Sequence, residues 1–434
     1  MEKLYEKYVA CGGRVTTDSR AISGGEMFFA LRGENFDGNA YALKALESGA
    51  AWAVVNEDAG IADDPRLIKV ADPLSTLSGL AAYHRNHVRE NLPVIGLTGT
   101  NGKTTTKELI AAVLRKKYKV TATEGNLNND IGVPLSLLKI TPETEIAVIE
   151  MGANHPDDIT KLVKVSQPDY GLITNVGKAH LLGFGSFEGV KAAKGELYKW
   201  LGNRRGSLIF LNEDDADLRG MAAGLPCHFF GYGLGSGGAE ILPLDAENPY
   251  VRLKVGKRVI CSKLVGTYNA TNILAALAVG EYFGVPKEDA ALAIEEYVPK
   301  NNRSQMTRTA SNSLVIDAYN ANPSSMAAAL DNFAAISAER RVALLGDMRE
   351  LGDASVEEHV KVVRNIVEKG LEAFLVGEEF RKALDETGNL PGILGWFPTS
   401  EALASHLGSQ PIKNAVVLIK GSRGIQMEKV LEKL

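Results

Sequence analysis

Residues 92–106 read LPVIGLTGTNGKTTT, and the rest of the chain is organised around them. Pro93 to Leu97 is a short apolar run of the kind that forms a buried strand. Thr98 to Gly102 is a polar turn carrying two glycines. Lys103 and three threonines follow, and Lys107 to Tyr118 has the amphipathic pattern of a helix. A strand, a glycine turn and a helix opening with Lys-Thr are the recipe for holding a nucleotide triphosphate. Backbone N–H groups and the helix N-terminus face the anion, the lysine neutralises it, and a threonine hydroxyl ligates Mg²⁺. The strict Gly-x-x-x-x-Gly-Lys-Thr pattern fails here, because Leu97 stands where its first glycine belongs. What stands instead is the shorter Gly99-Thr100-Asn101-Gly102-Lys103-Thr104, followed by Thr105.

A chain of 434 residues exceeds one typical core, so two or three domains are expected. Apolar residues at 45% and charged residues at 23% are those of an ordinary globular protein. A formal net charge of −5 gives no electrostatic reason to expect nucleic acid as a partner. Cys11, Cys227 and Cys261 stand far apart, as isolated thiols of a reducing compartment do. The first residues, MEKLYEKYVACGG, lack the apolar stretch of a signal peptide, and no apolar run is long enough to span a bilayer. The expectation is a cytoplasmic protein with no membrane insertion.

Outward from the glycine turn, the pattern divides the chain at about residues 90 and 305. Residues 1–90 read as a small α/β unit, with strands at Arg14 to Thr17, Glu26 to Leu31, Ala51 to Asn56 and Leu67 to Val70. A helix over Tyr41 to Ser48 stops before Gly49. A second helix is capped by Asp72, has Pro73 in its first turn, and runs towards Val88. Residues 91–305 alternate strand and helix. Ile146 to Met151, Tyr170 to Thr174 and Ser207 to Leu211 have the continuous apolar character of a parallel sheet. Val251 to Leu264, broken at Gly256-Lys257, reads as a hairpin that extends this sheet antiparallel. Ala270 to Phe283 reads as a buried helix. Residues 306–434 repeat the alternation. Strands are expected at Leu314 to Ala318, Arg341 to Leu345, Ala373 to Val376, Ile393 to Trp396 and Ala415 to Ile419, with helices starting near Pro323, Ser355, Glu378 and Thr399. That is the pattern of a doubly wound domain.

Several residues in this frame carry chemistry. Glu150 ends a strand beside the phosphate turn, where a Mg²⁺ ligand is expected, although a solvent-facing acid would look the same. His180 follows a strand and Lys194 sits on the next helix; spacing alone leaves a structural histidine and a solvated lysine as the commoner readings. Asn126, Asn128 and Asn129 crowd one loop, where amides either read peptide and sugar groups or make turns. Asp317 ends a strand and is either a ribose or metal group or a helix cap. Gly233 to Gly238 matches GxGxxG, but no helix follows it and Ile241 to Leu244 looks like a strand, so it does not read as a dinucleotide site. His84-x-x-His87 has metal-like spacing. No acid or thiol set completes a site there, and it reads as a solvent face.

Taken together, these stretches resemble the ATP-dependent Mur ligases of peptidoglycan synthesis. The resemblance covers nearly the whole chain and is carried by TTDSRAISGGEMFFALRGENFDGNAYALKALESGA, TGTNGKTTTKELI, EGNLNNDIGVPLSLL, EMGANHPDDI, TNVGKAHL with GFGSFEGVKAAKGELY, GTYNATNILAALAV, DAYNANPSSM, LGDMRELG and KGSRG. The short Gly-x-x-Gly-Lys-Thr is that family's own phosphate loop. Within the family, the asparagine loop, EMGANHP and DAYNANP look like the member that adds D-alanyl-D-alanine to UDP-N-acetylmuramoyl-tripeptide. Two positions depart from the family pattern: Leu182, where an acid is expected, and Asp157-Asp158, where Gly-acid is usual.

The resemblance implies a fold and a set of roles. The fold is α/β in three domains: a small N-terminal α/β UDP-substrate domain (1–90), a central P-loop parallel-sheet ATPase domain (91–305) and a C-terminal Rossmann-like domain (306–434). Gly99, Thr100, Asn101, Gly102, Lys103, Thr104 and Thr105 would hold the ATP phosphates. Asn269 and Asn272 would approach the adenine, and Arg303 and Asp317 would contact phosphate and ribose. Thr104 and Glu150 would hold one Mg²⁺. His180 and Lys194, the latter carbamylated and so carboxylate-like, would hold a second. Ser19 and Arg20 would hold the uridine nucleotide with the Gly33 to Asn39 loop nearby, and Asn126, Asn128 and Asn129 would lie along the muramoyl-peptide. Lys103, His180 and Lys194 would be the catalytic set. The implied partners are UDP-MurNAc-tripeptide and D-Ala-D-Ala, and the implied enzyme is a monomer. The implied reaction activates the tripeptide carboxylate as an acyl phosphate, which the dipeptide amine then attacks. The outer domains would close over the centre to keep water out. The Mur ligase that adds the third residue, a folylpolyglutamate synthetase, a P-loop kinase, a GTPase switch and a non-enzymatic nucleotide sensor are the rival readings.

Overall fold

The computed structural model describes residues 1–33, 35–244, 249–300, 302–388 and 390–434. Glu34, in the Gly33 to Asn39 loop, lies outside the described residues. On either side of it, Arg32–Gly33 and Phe36–Asp37 pair as a short hairpin.

The N-terminal unit is a four-stranded parallel sheet in the order Val15–Thr16, Met27–Phe29, Trp52–Asn56, Leu67–Val70. Asp72 accepts from the N–H groups of Leu74 and Ser75 at 3.1 and 3.0 Å and starts the helix Pro73–His87. That helix does not belong to its own unit alone. Leu77, Leu80 and Ala81 enter one core that contains Met27, Phe29 and Val54 from the N-terminal sheet and Leu137, Ala147 and Ile149 from the central unit. His84 corrects the expected solvent face. It is buried, bonded to the Tyr5 hydroxyl (3.2 Å) and the Ile140 carbonyl (2.8 Å), while His87 is exposed. Among the described residues no cluster of three His, Cys, Asp or Glu is placed to hold a metal.

Arg85, one residue on, pins the two units. Its Nη2 donates to Asp169 (2.9 Å) and to the Gln167 carbonyl (3.1 Å) from a side chain only 8% exposed. Asp169 keeps Arg204 at 2.7 Å when Arg85 is removed, so the loss is packing and carbonyl bonds rather than an orphaned acid. Arg85→Ala is therefore expected to lower stability by about 2–4 kcal/mol, measured as a fall in the denaturant midpoint at unchanged m.

The central unit is a six-stranded parallel sheet in the order His228–Tyr232, Leu208–Asn212, Tyr170–Ile173, Val94–Thr98, Ile146–Glu150, Val120–Ala122. Val94–Thr98 is buried along its whole length. It lies where the strand order turns back on itself, so the phosphate turn opens into the crevice at the carboxyl ends of the strands.

Two expectations are corrected here. The helix after the turn spans Lys103–Leu114, not Lys107 to Tyr118. Gly102, at φ +76, makes the left-handed step that lets the helix begin at once, and the buried threonines form its first turn. The hairpin strands, Tyr250–Val255 and Arg258–Val265, pair with each other but do not extend the parallel sheet. With Ala239–Ile241 they make a separate antiparallel sheet. Their alternating apolar residues Val251, Leu253, Ile260 and Leu264 share a core with Ile273 and Ile294 of the helices Asn269–Tyr282 and Lys287–Glu296. In the Gly233 to Gly238 turn, Asp214 accepts from the N–H groups of Gly235 and Ser236 at 3.0 and 3.2 Å. The chain's own acid sits where a dinucleotide phosphate would be needed.

The C-terminal sheet has the order Gln305–Arg308, Asn312–Asp317, Ala415–Lys420, Arg341–Gly346, Glu372–Val376, Ile393–Phe397. All neighbours are parallel except the first pair. The antiparallel edge strand Gln305–Arg308 is too polar to read as a strand from its sequence.

Candidate active site

The phosphate turn is braced from behind by the segment that follows Tyr170–Ile173. Thr174 Oγ1 donates to the Asn101 carbonyl (2.6 Å), and Asn175 Oδ1 accepts from the Asn101 N–H (3.0 Å). The Thr100 N–H donates to the Asn175 carbonyl at 3.0 Å. The Lys103 ammonium folds back over the turn and donates to the carbonyls of Gly99 and Thr100, at 2.7 and 3.0 Å. Loss of water pushes its pKa down to about 8, against the opposing pull of Glu150.

Glu150 is buried at the end of its strand. Its Oε1 accepts from Thr104 Oγ1 (3.1 Å) and Asn128 Nδ2 (2.7 Å), while its buried Oε2 has no hydrogen-bond partner. A buried carboxylate oxygen without a partner is costly unless a cation or a donor completes it.

A cavity of ≈ 480 Å³ opens over these groups, and both the central and the C-terminal units line it. It brings together Thr100 to Thr105, Asn126, Asn128, Glu150, His180, Asn269, Asn272, Arg303 and Asp317. Gly99 stands behind it and presents its carbonyl to Lys103. Lys194 is one layer deeper. It is almost wholly buried, and its Nζ donates to the carbonyl of Ala153 (3.0 Å), a lining residue. Burial, and then the like charge of Lys103, push its pKa well below the ordinary lysine value. His180, at φ +51, meets Glu350 of the C-terminal unit through Nδ1, and burial lowers its pKa.

Other expected residues stand elsewhere. Asn129 Oδ1 accepts from the Gly132 N–H (2.9 Å) at the start of a helix and does not line the cavity. Ser19 and Arg20 lie on the N-terminal unit, in a short turn capped by Asp18, whose carboxylate pairs with the Arg20 guanidinium at 2.8 Å. The two departures lie on the rim and beyond. Leu182 is exposed and donates its N–H to the Glu350 carbonyl (3.1 Å), and Asp157 takes a left-handed turn at φ +64 before a helix.

Sequence reasoning missed Lys420, Tyr319, Asn322 and Ser324, all of which line the cavity. Lys420 is buried and its Nζ reaches Asp317 Oδ2 at 2.5 Å. The Arg303 guanidinium stacks 3.5 Å from the centre of the Tyr319 ring. Asn322 caps the helix Pro323–Ala335 and donates from Nδ2 to Asn101 Oδ1 of the phosphate turn at 2.8 Å. The only signal for these residues was their presence in the DAYNANPSSM and KGSRG strings.

Comparison with known proteins agrees with this geometry. Residues 14–94 match the model for the Mur ligase family, catalytic domain; 97–280 match the Mur ligase middle domain; 302–423 match the Mur ligase, glutamate ligase domain. The UDP-N-acetylmuramoyl-tripeptide–D-alanyl-D-alanine ligase of Escherichia coli K12 is 35% identical over 439 residues, covering 97% of this chain and 93% of that protein. A crystal structure of MurF from Acinetobacter baumannii superposes with a TM-score of 0.85 at 31% identity, covering 97% of this chain and 93% of that one. MurF ligase from Thermotoga maritima in complex with ADP gives a TM-score of 0.83 at 27% identity, with 97% and 96% covered. With a full-length relative at this identity and three domain models matched in order, the chain belongs to the Mur ligase family.

Proposed function

We propose that this chain is an ATP-dependent ligase that joins D-alanyl-D-alanine to UDP-N-acetylmuramoyl-tripeptide, giving UDP-MurNAc-pentapeptide, ADP and phosphate. The relatives' names support the substrates, and the T. maritima structure with ADP supports nucleotide binding. The observation that carries the reading is the orphaned Glu150 oxygen facing a phosphate turn. The division of labour is UDP-sugar on residues 1–90, ATP on 91–305, and on 306–434 a Rossmann-like domain that closes over the centre and brings Asp317 to the nucleotide. The reaction is placed in the cytoplasm and the enzyme acts as a monomer. No described helix is long and apolar enough to cross a membrane.

An amide does not form from a carboxylate and an amine in water without activation. The terminal carboxylate of the tripeptide attacks the γ-phosphoryl group to give an acyl phosphate. The dipeptide amine adds to its carbonyl carbon, and phosphate leaves from the tetrahedral intermediate as the amine loses its proton. The N–H groups of the turn that Asn175 does not hold, with those of the first turn of Lys103–Leu114, hold the phosphates in line. Lys103 unfolds from the Gly99 and Thr100 carbonyls to meet them, and its charge offsets the repulsion between carboxylate and phosphoryl group.

The unpartnered Glu150 oxygen supports one divalent cation, and the resemblance implies a second. Thr104 and Glu150 would hold one, through the oxygen that lacks a partner, and His180 with carbamylated Lys194 the other. Bound there, they supply positive charge against the same repulsion. Asp317, fixed by Lys420, takes the ribose hydroxyls; Asn269 and Asn272 take the adenine; Arg303 reaches the phosphates. Ser19 and Arg20 hold the uridine nucleotide. Asn126 and Asn128 lie along the muramoyl-peptide, with Asn128 tied to Glu150, while Asn129 shapes their loop by accepting from the Gly132 N–H at the start of the helix that follows.

The test is phosphate release from ATP with UDP-MurNAc-tripeptide, with and without D-Ala-D-Ala. Release that rises with the dipeptide, together with a pentapeptide product of matching mass, is expected. A rate indifferent to the dipeptide would falsify the reading.

A further inference from the structure

The segment 177–182 follows the strand Tyr170–Ile173 and carries His180. On one side it is tied to the phosphate turn, where the Gly177 N–H donates to Thr100 Oγ1 at 2.9 Å. On the other side its bonds run to the C-terminal unit. The Lys178 N–H donates to Ser324 Oγ (3.0 Å), and its Nζ donates to Glu358 Oε1 (2.9 Å). His180 Nδ1 meets Glu350 Oε2, and the Leu182 N–H donates to the Glu350 carbonyl (3.1 Å). His180 and Glu350 both take left-handed backbone conformations, φ +51 and +64, which a side-chain-bearing residue adopts only where its surroundings hold it.

Glu358 is the fixed point of this arrangement. It lies on the helix Ser355–Glu368 with a side chain 8% exposed, and it is shared by Lys178 and, at 3.0 Å, by Lys361. Burial raises its pKa, but the two ammonium groups outweigh burial and hold it below the usual carboxylate range, so it is ionised at neutral pH. A buried carboxylate of this kind favours the docked arrangement, because undocking removes one of its two cations.

We propose that Glu358 and Glu350 are positioning residues. By docking on the strap 177–182 through the Lys178–Glu358 ion pair and the two Glu350 contacts, the C-terminal unit sets His180 at the cavity. His180 is thus in place only while that unit is docked, which ties the far domain to the cation side of the site through contacts separate from Asp317. The inference rests on the ligase reading only for the role of His180.

The test uses the full chain and the variants Lys178→Met, Glu358→Gln and Lys178→Arg. Amide hydrogen exchange over 177–184 is measured without ligands, and the Mg²⁺ concentration for half-maximal phosphate release is measured with all substrates. Lys178→Met and Glu358→Gln are expected to speed strap exchange about tenfold and to raise the Mg²⁺ requirement about fivefold. Lys178→Arg, which keeps the pair, should match the parent in both. A strap whose exchange is unmoved in both Met and Gln variants would overturn the proposal, and so would faster exchange with an unchanged Mg²⁺ requirement. A parent chain without dipeptide-dependent release would refute the ligase reading instead, and the exchange measurement still reads the strap in that case.

Discussion

Lys194→Ala is expected to lower dipeptide-dependent phosphate release by about two to three orders of magnitude, and a short carboxylic acid such as acetate should restore part of it. The expectation comes from the setting of the ammonium group. It is almost wholly buried, it donates to the Ala153 carbonyl, and the largest influence after burial is another cation, Lys103. Burial and that like charge both favour the neutral amine. A neutral amine attacks carbon dioxide: the N–C bond forms, a proton leaves the nitrogen, and the neutral amine becomes an anionic carbamate. Such a carbamate would turn the repulsion with Lys103 into attraction and would add oxygen ligands to the site.

Removing the side chain leaves a space one carboxylate can enter. The fold should tolerate the change, since relieving the desolvation of a buried amine offsets part of the cavity its stem leaves. Full activity in Lys194→Ala would refute the carbamate. Rescue by a short amine rather than an acid would show that the site needs the cation.

What could be read from residue order follows a physical line. The phosphate turn was legible because every part of it lies within one strand, one turn and one helix. Glu150 and Asp317 were legible because a strand's last residue at a carboxyl-end crevice is a position, not a contact. Lys420 was not, because it reaches Asp317 from 103 residues away along a neighbouring strand. The Asn322 to Asn101 bond spans 221 residues and exists only because the C-terminal unit docks on the turn. Nothing in a local pattern encodes that docking. His84 was misjudged for the same reason: its partners, Tyr5 and Ile140, belong to other elements. The hairpin strands show a finer limit. Alternation in Val251 to Leu264 says that one face is covered, and so gives the strands. It does not say whether a parallel sheet or a pair of helices does the covering.

Gly99→Ala should weaken nucleotide binding by about two orders of magnitude, from the combined cost of left-handed backbone strain and overpacking. Gly99 has φ +146, and a methyl group on its Cα would lie 2.0 Å from Thr174 Oγ1 and 3.0 Å from the Thr174 N. The hydroxyl cannot simply turn away, because it donates to the Asn101 carbonyl at 2.6 Å and so holds the turn in shape. The backbone N behind it cannot move without shifting the strand Tyr170–Ile173. The turn must therefore yield, and with it the carbonyls of Gly99 and Thr100 that park Lys103 and the N–H groups that face the phosphates.

Titrating a nucleotide triphosphate into parent and variant measures the loss directly. Adding Thr174→Ala to Gly99→Ala separates the two causes. It removes the nearest clash but leaves the φ and forfeits the Asn101 brace, so only partial recovery is expected. Tight binding by Gly99→Ala alone would mean that the close approach of turn and strand is not what shapes the phosphate site.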